Sequence, residues 1–304
     1  MAAPGTYRES LGRRIWQAKY SYLMLAPFTI LFVLFTVLPV AIAIWFSFTN
    51  YDMLHNASFT GLENYMRMSL DDDVFLIALK NTLIFALVTG PISYFMCFFF
   101  AWLINELKPA LRAVATLVFY APVLSGSVFT VWQFILSPDR YGMPNGFLIN
   151  LGIMQTPVSW LLDTRYIMTS LIIVQLWMSL GTGFLAFIAG LQGVDTTLYE
   201  AASIDGVRNR FQELWYVTLP QMAPQMMFGA VMQIVSSFTV GSISIALAGQ
   251  PSTEYAGETI VTHMVDYGTT RYEMGYACAI ACFLFFMMYV SKRGVNKILS
   301  RVGH

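Results

Sequence analysis

The chain has 304 residues, 57% of them hydrophobic and only 11% charged, and its formal net charge is zero. Soluble domains carry about a quarter charged residues, so this composition points to a chain embedded in a membrane. With no net charge and no basic tract it offers nucleic acid nothing to bind, and its three cysteines do not form a disulfide set.

Residues 1–21 form a basic, amphipathic lead with Arg8, Arg13, Arg14 and Lys19 beside the interface-seeking rings Trp16, Tyr20 and Tyr22. The apolar run 22–46 follows. A bilayer core needs roughly 20 residues of helix, whereas the apolar core of a signal peptide is roughly 7–15 residues. The run is therefore read as a retained span, although Ala41-Ile42-Ala43 resembles a cleavage site. The loop from Thr49 to Asn81 contains FTGLENYMRM and Asp71-Asp72-Asp73. The acidic triplet is predicted to cap the helix entering the second span, because a calcium loop needs alternating oxygen ligands and a closing Glu.

Further spans are predicted at 82–104, 113–136, 167–191, 226–248 and 274–290, the last recruiting Tyr272 and Ser291. Pro39, Pro91 and Pro122 lie inside spans, where neighbouring helices or water can satisfy the carbonyls they free. Cys97, Cys278 and Cys282 lie inside spans as small packing residues. Cys278 and Cys282 are a helical turn apart, but no His or carboxylate joins them as a metal site. Small residues recur in the fourth span (Gly181, Gly183, Gly190) and the fifth (Gly229, Ala230, Ser236, Ser237), which predicts close helix packing. Of the 17 basic residues, twelve fall at the N-terminus, in the second and fourth loops and at the C-terminus, and five fall on the other side. The basic end is accordingly predicted to be cytoplasmic, with both termini inside. The domain reading is a cytoplasmic segment 1–21, a transmembrane domain 22–292 and a cytoplasmic tail 293–304.

No phosphate loop of the GxxxxGK[ST] type occurs, nor HExxH, nor GxSxG, and His55, His263 and His304 are scattered. The chain is read as a non-enzyme. None of the six spans contains Asp, Glu, Lys, Arg or His. Ion-coupled carriers commonly place such groups inside the bilayer, which argues against the alternative of a secondary carrier. The polar residues within the spans are neutral, and two glutamines have aromatic neighbours: Gln133 beside Trp132, Gln175 near Trp177, with Gln233 further on. Amides and aromatic faces suit a neutral polyhydroxylated solute. The same glutamines equally suit bonds between helices.

Between the fourth and fifth spans lies a polar, helix-patterned loop, 195–222. Thr197 and Glu200 are spaced as a capping box, Asp205-Gly206 marks a turn, and a second helix follows with Phe211, Leu214, Trp215 and Thr218 on one face. Pro220 and Pro224 end it. A short helix with Ala201 and Ala202 on its surface lets a partner's groove approach its backbone closely.

Glu200-Ala201-Ala202, Gly206 and Leu219-Pro220 resemble the EAA loop of the inner-membrane permease subunits of ABC importers. The likeness extends to Pro39 with Ser47-Phe48, to FTGLENY, to Lys80-Asn81-Thr82, to Tyr120-Ala121-Pro122 and to PVSWLL, and is greatest to the carbohydrate-importing branch. One departure is visible. Twelve residues separate Gly206 from Leu219, a residue more than the family's usual spacing, which predicts a lengthened link around Val207–Arg210. The resemblance implies an all-α polytopic fold of about six transmembrane helices and a second, similar permease. It also implies two ATPase subunits that use ATP and Mg and receive the EAA loops, and an extracytoplasmic solute-binding protein that delivers a sugar. This chain itself would carry no cofactor, and its coupling residues would be Glu200, Ala201, Ala202, Asp205, Gly206, Leu219 and Pro220.

Overall fold

The computed structural model describes residues 16, 18–125 and 128–299. Among them every regular element is a helix, and the sole extended pairing is a single bridge between Thr49 and Phe59. Arg8, Arg13, Arg14 and Arg301 of the predicted basic flanks lie outside the described residues.

The first span, α1 (Lys19–Phe46), widens into a π turn at Val33–Val37 just before Pro39. Proline crowds the carbonyl four residues back, here Phe35, and a wide turn relieves that clash. Its final segment packs on the last helix, while its apolar length is otherwise exposed, as for a helix facing lipid. A short helix α2 (Glu63–Leu70) leads into α3 (Asp73–Asn105), whose 33 residues begin well before the expected 82–104. The apolar count missed the polar first turns, which Asp72 starts by accepting a hydrogen bond from the Phe75 amide at 2.9 Å.

The expected span 113–136 is two helices, α4 (Pro109–Leu124) and α5 (Val128–Ile135), inclined at 85°. Pro122 lies in the last turn of α4 and Ser125 is extended, with φ −86° and ψ 112°, so the helix does not continue. A short α6 (Met143–Asn150) follows, and α7 (Ile167–Met178) and α8 (Thr182–Gln192) together make the fourth span. The loop holds α9 (Thr196–Ile204) and α10 (Arg210–Glu213); beyond it, α11 (Ala223–Phe238) and α12 (Ser242–Ala248) form the fifth span. After α13 (Ile260–Val265), α14 (Met274–Leu299) includes Ser291 as expected, but Tyr272 stays outside it with φ +60°.

The centre is α3, α8 and α11 in mutual contact. A Cβ on Gly229 of α11 would come within 2.5 Å of the Phe187 ring of α8, and one on Gly190 within 2.8 Å of Gln225. Lipid tails are as apolar as the helices, so association depends on such close contact rather than on release of water. The small residues therefore pack helices, as expected.

At the end opposite the loop, polar groups tie the connections down. Asn64 donates to the carbonyls of Ser47 and Thr49 at 2.9 and 2.8 Å, and the Tyr65 hydroxyl donates to Ser47 Oγ at 2.8 Å. Asp72 is buried and accepts from Tyr276 Oη at 2.7 Å, with His263 Nε2 at 2.9 Å from the same carboxylate oxygen. Arg67 pairs with Glu273 beside this cluster.

Candidate functional site

The loop between α8 and α11 is built by local capping. The Asp195 carboxylate accepts the Thr197 amide at 2.9 Å, which makes Asp195 the N-cap and starts α9 at Thr196. That hydrogen bond also holds the Asp195 carboxyl below its usual range. The predicted capping box of Thr197 with Glu200 is therefore absent: Asp195 provides a strong cap two residues earlier. The Glu200 side chain is left exposed with no bonding partner among the described residues. Downstream, Gly206 adopts φ +94°, the Gly206 amide reaches Ser203 O at 3.3 Å and the Val207 amide reaches Ala202 O at 3.0 Å. This paired closure needs a left-handed residue just past the helix, which glycine adopts without strain.

Asn209 Oδ1 caps α10 by accepting the Gln212 amide at 2.8 Å. A π turn at Leu214–Thr218 then accommodates an additional residue inside the second helix. The wide turn also splits the face expected from the sequence. Thr218 is buried and Leu214 half-buried, whereas Phe211 and Trp215 are 72% and 65% exposed. Ile204 at 85% and Tyr216 at 68% add to this exposed apolar surface. Ala201 and Asp205 are exposed beside Glu200, Ala202 is half-buried, Leu219 is half-buried and Pro220 is exposed.

The loop is tied to itself at its root and to the helix bundle at its tip. At the root, the Tyr199 and Thr218 hydroxyls are 2.9 Å apart and join the two loop helices. At its tip, Arg210 pairs with Glu106 at 3.3 Å and with Glu213 at 2.8 Å, and the Phe211 ring lies 5.6 Å from that of Trp102. Between them is a cavity of about 320 Å³, lined in part by Glu106, Arg112, Tyr199 and Thr218. Sequence reading passed over Asp195 and assigned no contact to Tyr199, Arg210 or Thr218; only Asp195, an Asp before Thr-Thr, carried a recognisable capping signal.

The predicted pathway residues fall into two groups. Trp132 of α5 and Trp177 of α7 meet edge to face at 5.5 Å, and Gln133 Nε2 donates to Ala246 O of α12 at 2.6 Å. Gln175 is buried and donates to Ser236 Oγ at 3.1 Å, while Ser236 itself is exposed. Gln233 lies apart from these, with Nε2 3.1 Å from Cys97 Sγ and 3.3 Å from Ser179 O, joining α11, α3 and the break after α7. Its amide serves helix packing, and Ser236 is the neighbour that periodicity did not single out.

Over residues 1–302 the chain matches the family described as the binding-protein-dependent transport system inner membrane component. It is 28% identical to the arabinooligosaccharides transport system permease protein AraP of Bacillus subtilis, over 94% of this chain and 91% of that one. To the sn-glycerol-3-phosphate transport system permease protein UgpA of Agrobacterium fabrum it is 30% identical, over 90% and 94%. Its fold resembles a chain in the crystal structure of a bacterial alginate ABC transporter in complex with alginate pentasaccharide-bound periplasmic protein. That likeness has a TM-score of 0.77 at 24% identity and covers 97% and 99% of the two chains. An all-helical chain of apolar spans, matched along nearly its whole length, thus belongs to the family of inner-membrane components of binding-protein-dependent transport systems.

Proposed function

We propose that this permease forms, with a second and similar permease, the translocation pathway of an ATP-driven sugar importer, and that residues 195–222 are its coupling element. The observation that carries the coupling role is the loop itself. It is capped at Asp195, Gly206 and Asn209, yet Glu200, Ile204, Phe211 and Trp215 are each exposed. A fixed polar segment bearing large exposed apolar side chains is what a protein partner binds. The partner is a cytoplasmic ATPase, present in two copies, that uses ATP and Mg; the excess of Lys and Arg at that end of the chain supports a cytoplasmic position for it.

An extracytoplasmic solute-binding protein delivers the sugar at the opposite end. ATP-driven closure of the ATPases pushes α9 and opens the pathway outward, and hydrolysis resets it inward. The sugar class is supported by a relative whose name specifies arabinooligosaccharides, compounds rich in hydroxyl groups. It is supported again by the neutral amide, hydroxyl and indole groups of Gln133, Gln175, Ser236, Trp132 and Trp177, which suit hydroxyls better than ions. The apolar stretches 22–46, 82–104, 113–136, 167–191, 226–248 and 274–290 hold no charged residue, which leaves an ion-coupled carrier without a coupling site inside the bilayer.

The test is isolation of the tagged chain from its native membranes in mild detergent, with mass spectrometry of what accompanies it. Recovery of a second permease and an ATPase, with the ATPase lost on Glu200→Ala, is the expected result. A chain recovered alone that still transports would sink the reading. Uptake of labelled arabinotriose, maltotriose and glycerol 3-phosphate then sorts the substrate.

A further inference from the structure

The loop holds the bundle at its tip through residues outside the EAA pattern, and the surface that receives them is itself braced. Glu106 caps the C-terminal end of α3, directly after Asn105. Arg112, from the first turns of α4, donates through Nη2 to Asn105 O at 2.8 Å and to Leu107 O at 3.2 Å. A guanidinium on the last carbonyls of a helix satisfies groups that otherwise lack partners. It also fixes the short link between α3 and α4, so Glu106 is presented from a firm platform.

Onto this platform come two neighbouring loop residues, Arg210 on Glu106 and Phe211 on Trp102. Arg210 and Glu106 are 66% and 43% exposed. A solvated pair of this kind is weak, too weak to be a structural anchor but suited to a contact made and broken in every cycle. The cavity beneath the loop separates this contact from the root at Tyr199 and Thr218, so the tip can shift while the root holds. On the other side α3 packs along α8 and α11, the helices that carry Gly183, Gln233 and Ser236.

We propose that Arg210 and Phe211 form a latch between the coupling loop and the end of α3, closed in one state of the transport cycle and open in the other. Through it, displacement of α9 by the ATPase reaches α3 directly as well as through the chain into α11. Arg210 and Phe211 are positioning residues: Glu106 and Trp102 respond to them, and no substrate touches them. The latch rests on the proposed coupling role of the loop.

The experiment uses the chain in its native membranes, with Glu106→Cys and Arg210→Cys introduced and Cys97, Cys278 and Cys282 replaced by serine. A short bifunctional thiol reagent is applied without nucleotide and again with MgATP and vanadate. The expected result is a change of at least threefold in cross-link yield between the two conditions, with the ATPase still attached. Equal yields would mean a static contact and overturn the latch.

A charge-reversal pair provides a second measurement that leaves the cysteines in place. Because Glu213 also pairs with Arg210, at 2.8 Å, the parent here carries Glu213→Gln; on it Arg210→Glu should lower the ATP hydrolysis rate of the isolated complex severalfold, and Glu106→Arg together with Arg210→Glu should restore it. A single variant hydrolysing at the parent rate, or a pair that stays impaired, would also overturn the proposal. If the unaltered chain carries no ATPase at all, the coupling role of the loop fails, and the latch fails with it.

Discussion

The hydroxyls of Tyr199 and Thr218 lie 2.9 Å apart, joining the middle of α9 to the turn from which the chain re-enters the membrane. Thr218 is buried and its hydroxyl also reaches Glu213 O at 3.3 Å, so one short network fixes the angle between the two loop helices. A neutral hydrogen bond of this kind contributes about 0.5–1.5 kcal/mol. Tyr199→Phe and Thr218→Val should each reduce uptake several-fold while the ATPase remains bound. Because both remove the bond they share, the double variant should be little worse than Thr218→Val, which also loses the bond to Glu213 O. Uptake with co-purification of the ATPase measures this, and strictly additive losses would show that the two side chains act separately.

Glu200 and Gly206 fail in different ways when replaced. The Glu200 side chain has no intramolecular work among the described residues, so Glu200→Ala should abolish uptake and release the ATPase without changing the amount of chain in the membrane. Gly206 sits at φ +94° with no atom within 4 Å of the position a Cβ would take. The penalty for a side chain there is conformational rather than steric crowding, about 1–2 kcal/mol for a left-handed non-glycine residue. Gly206→Ala should thus impair uptake partially, and Gly206→Pro, whose φ is held near −65°, completely. Equal uptake by Gly206→Pro and the parent chain would remove the glycine from the coupling argument.

Most of the fold was legible because bilayer thickness forces long apolar helices, and those are visible in composition alone. The helix break at Ser125 and the early start of α3 were not, since neither changes the count of apolar residues. In the loop, Gly206 was correctly placed at a turn, whereas Thr197 was credited with a cap that Asp195 makes. The additional residue before Leu219 was expected in the link at Val207–Arg210, and the π turn at Leu214–Thr218 offers a place for it inside the helix. Sequence spacing shows that a residue is added but not where the backbone widens. The motif FTGLENY could be quoted but not explained until Asn64 and Tyr65 were seen bonding back to Ser47 and Thr49. Contacts between residues far apart in the chain, such as Arg210 with Glu106, leave no periodic signal at all.

Asp72 illustrates such a contact with a titratable consequence. Burial pushes its carboxyl up, but hydrogen bonds from His263, Tyr276 and the Phe75 amide outweigh burial and hold it well below the usual carboxylate range. A carboxyl depressed in the folded state contributes stability that is fully present above its unfolded value near 4 and is lost as pH falls through the folded value. Its own ionisation is therefore complete between about pH 5 and 8 and is lost only in strong acid. Asp72→Asn should destabilise the detergent-solubilised chain across that whole range by roughly 1.5–3 kcal/mol, the worth of a hydrogen bond to a charged group, read as a lower thermal unfolding temperature. A deficit that vanished at pH 8 would contradict this assignment.

Gly229 offers a test of the packing centre that is independent of the loop. A Cβ there would meet the Phe187 ring at 2.5 Å, and Phe187 is fully buried, hemmed edge to face by Tyr94 and Phe98. The ring has little freedom to move aside, so Gly229→Ala should cost about 1–3 kcal/mol and Gly229→Leu should prevent stable assembly. The yield of monodisperse chain after detergent extraction reads both, and parent-like yield for Gly229→Leu would mean that α8 and α11 do not pack this closely.

The pathway residues separate by what each amide already does. Gln233 is buried with its Nε2 against Cys97 Sγ and Ser179 O, so Gln233→Ala should lower stability more than substrate affinity. Among the described residues the Gln175 amide bonds to Ser236, which is exposed, and Trp132 packs edge to face on a Trp177 that is 43% exposed. Substitutions Gln175→Ala, Ser236→Ala and Trp177→Ala should thus weaken uptake affinity for an oligosaccharide by about three- to tenfold, equivalent to one lost hydrogen bond or ring contact. Gln133→Ala belongs with these, because Gln133 is exposed and holds a single carbonyl. Initial uptake rates across a concentration series distinguish a change in affinity from a change in the number of working transporters. If all four variants keep the parent affinity, the sugar passes elsewhere, and the amides and indoles of α5, α7 and α11 serve only to hold helices together.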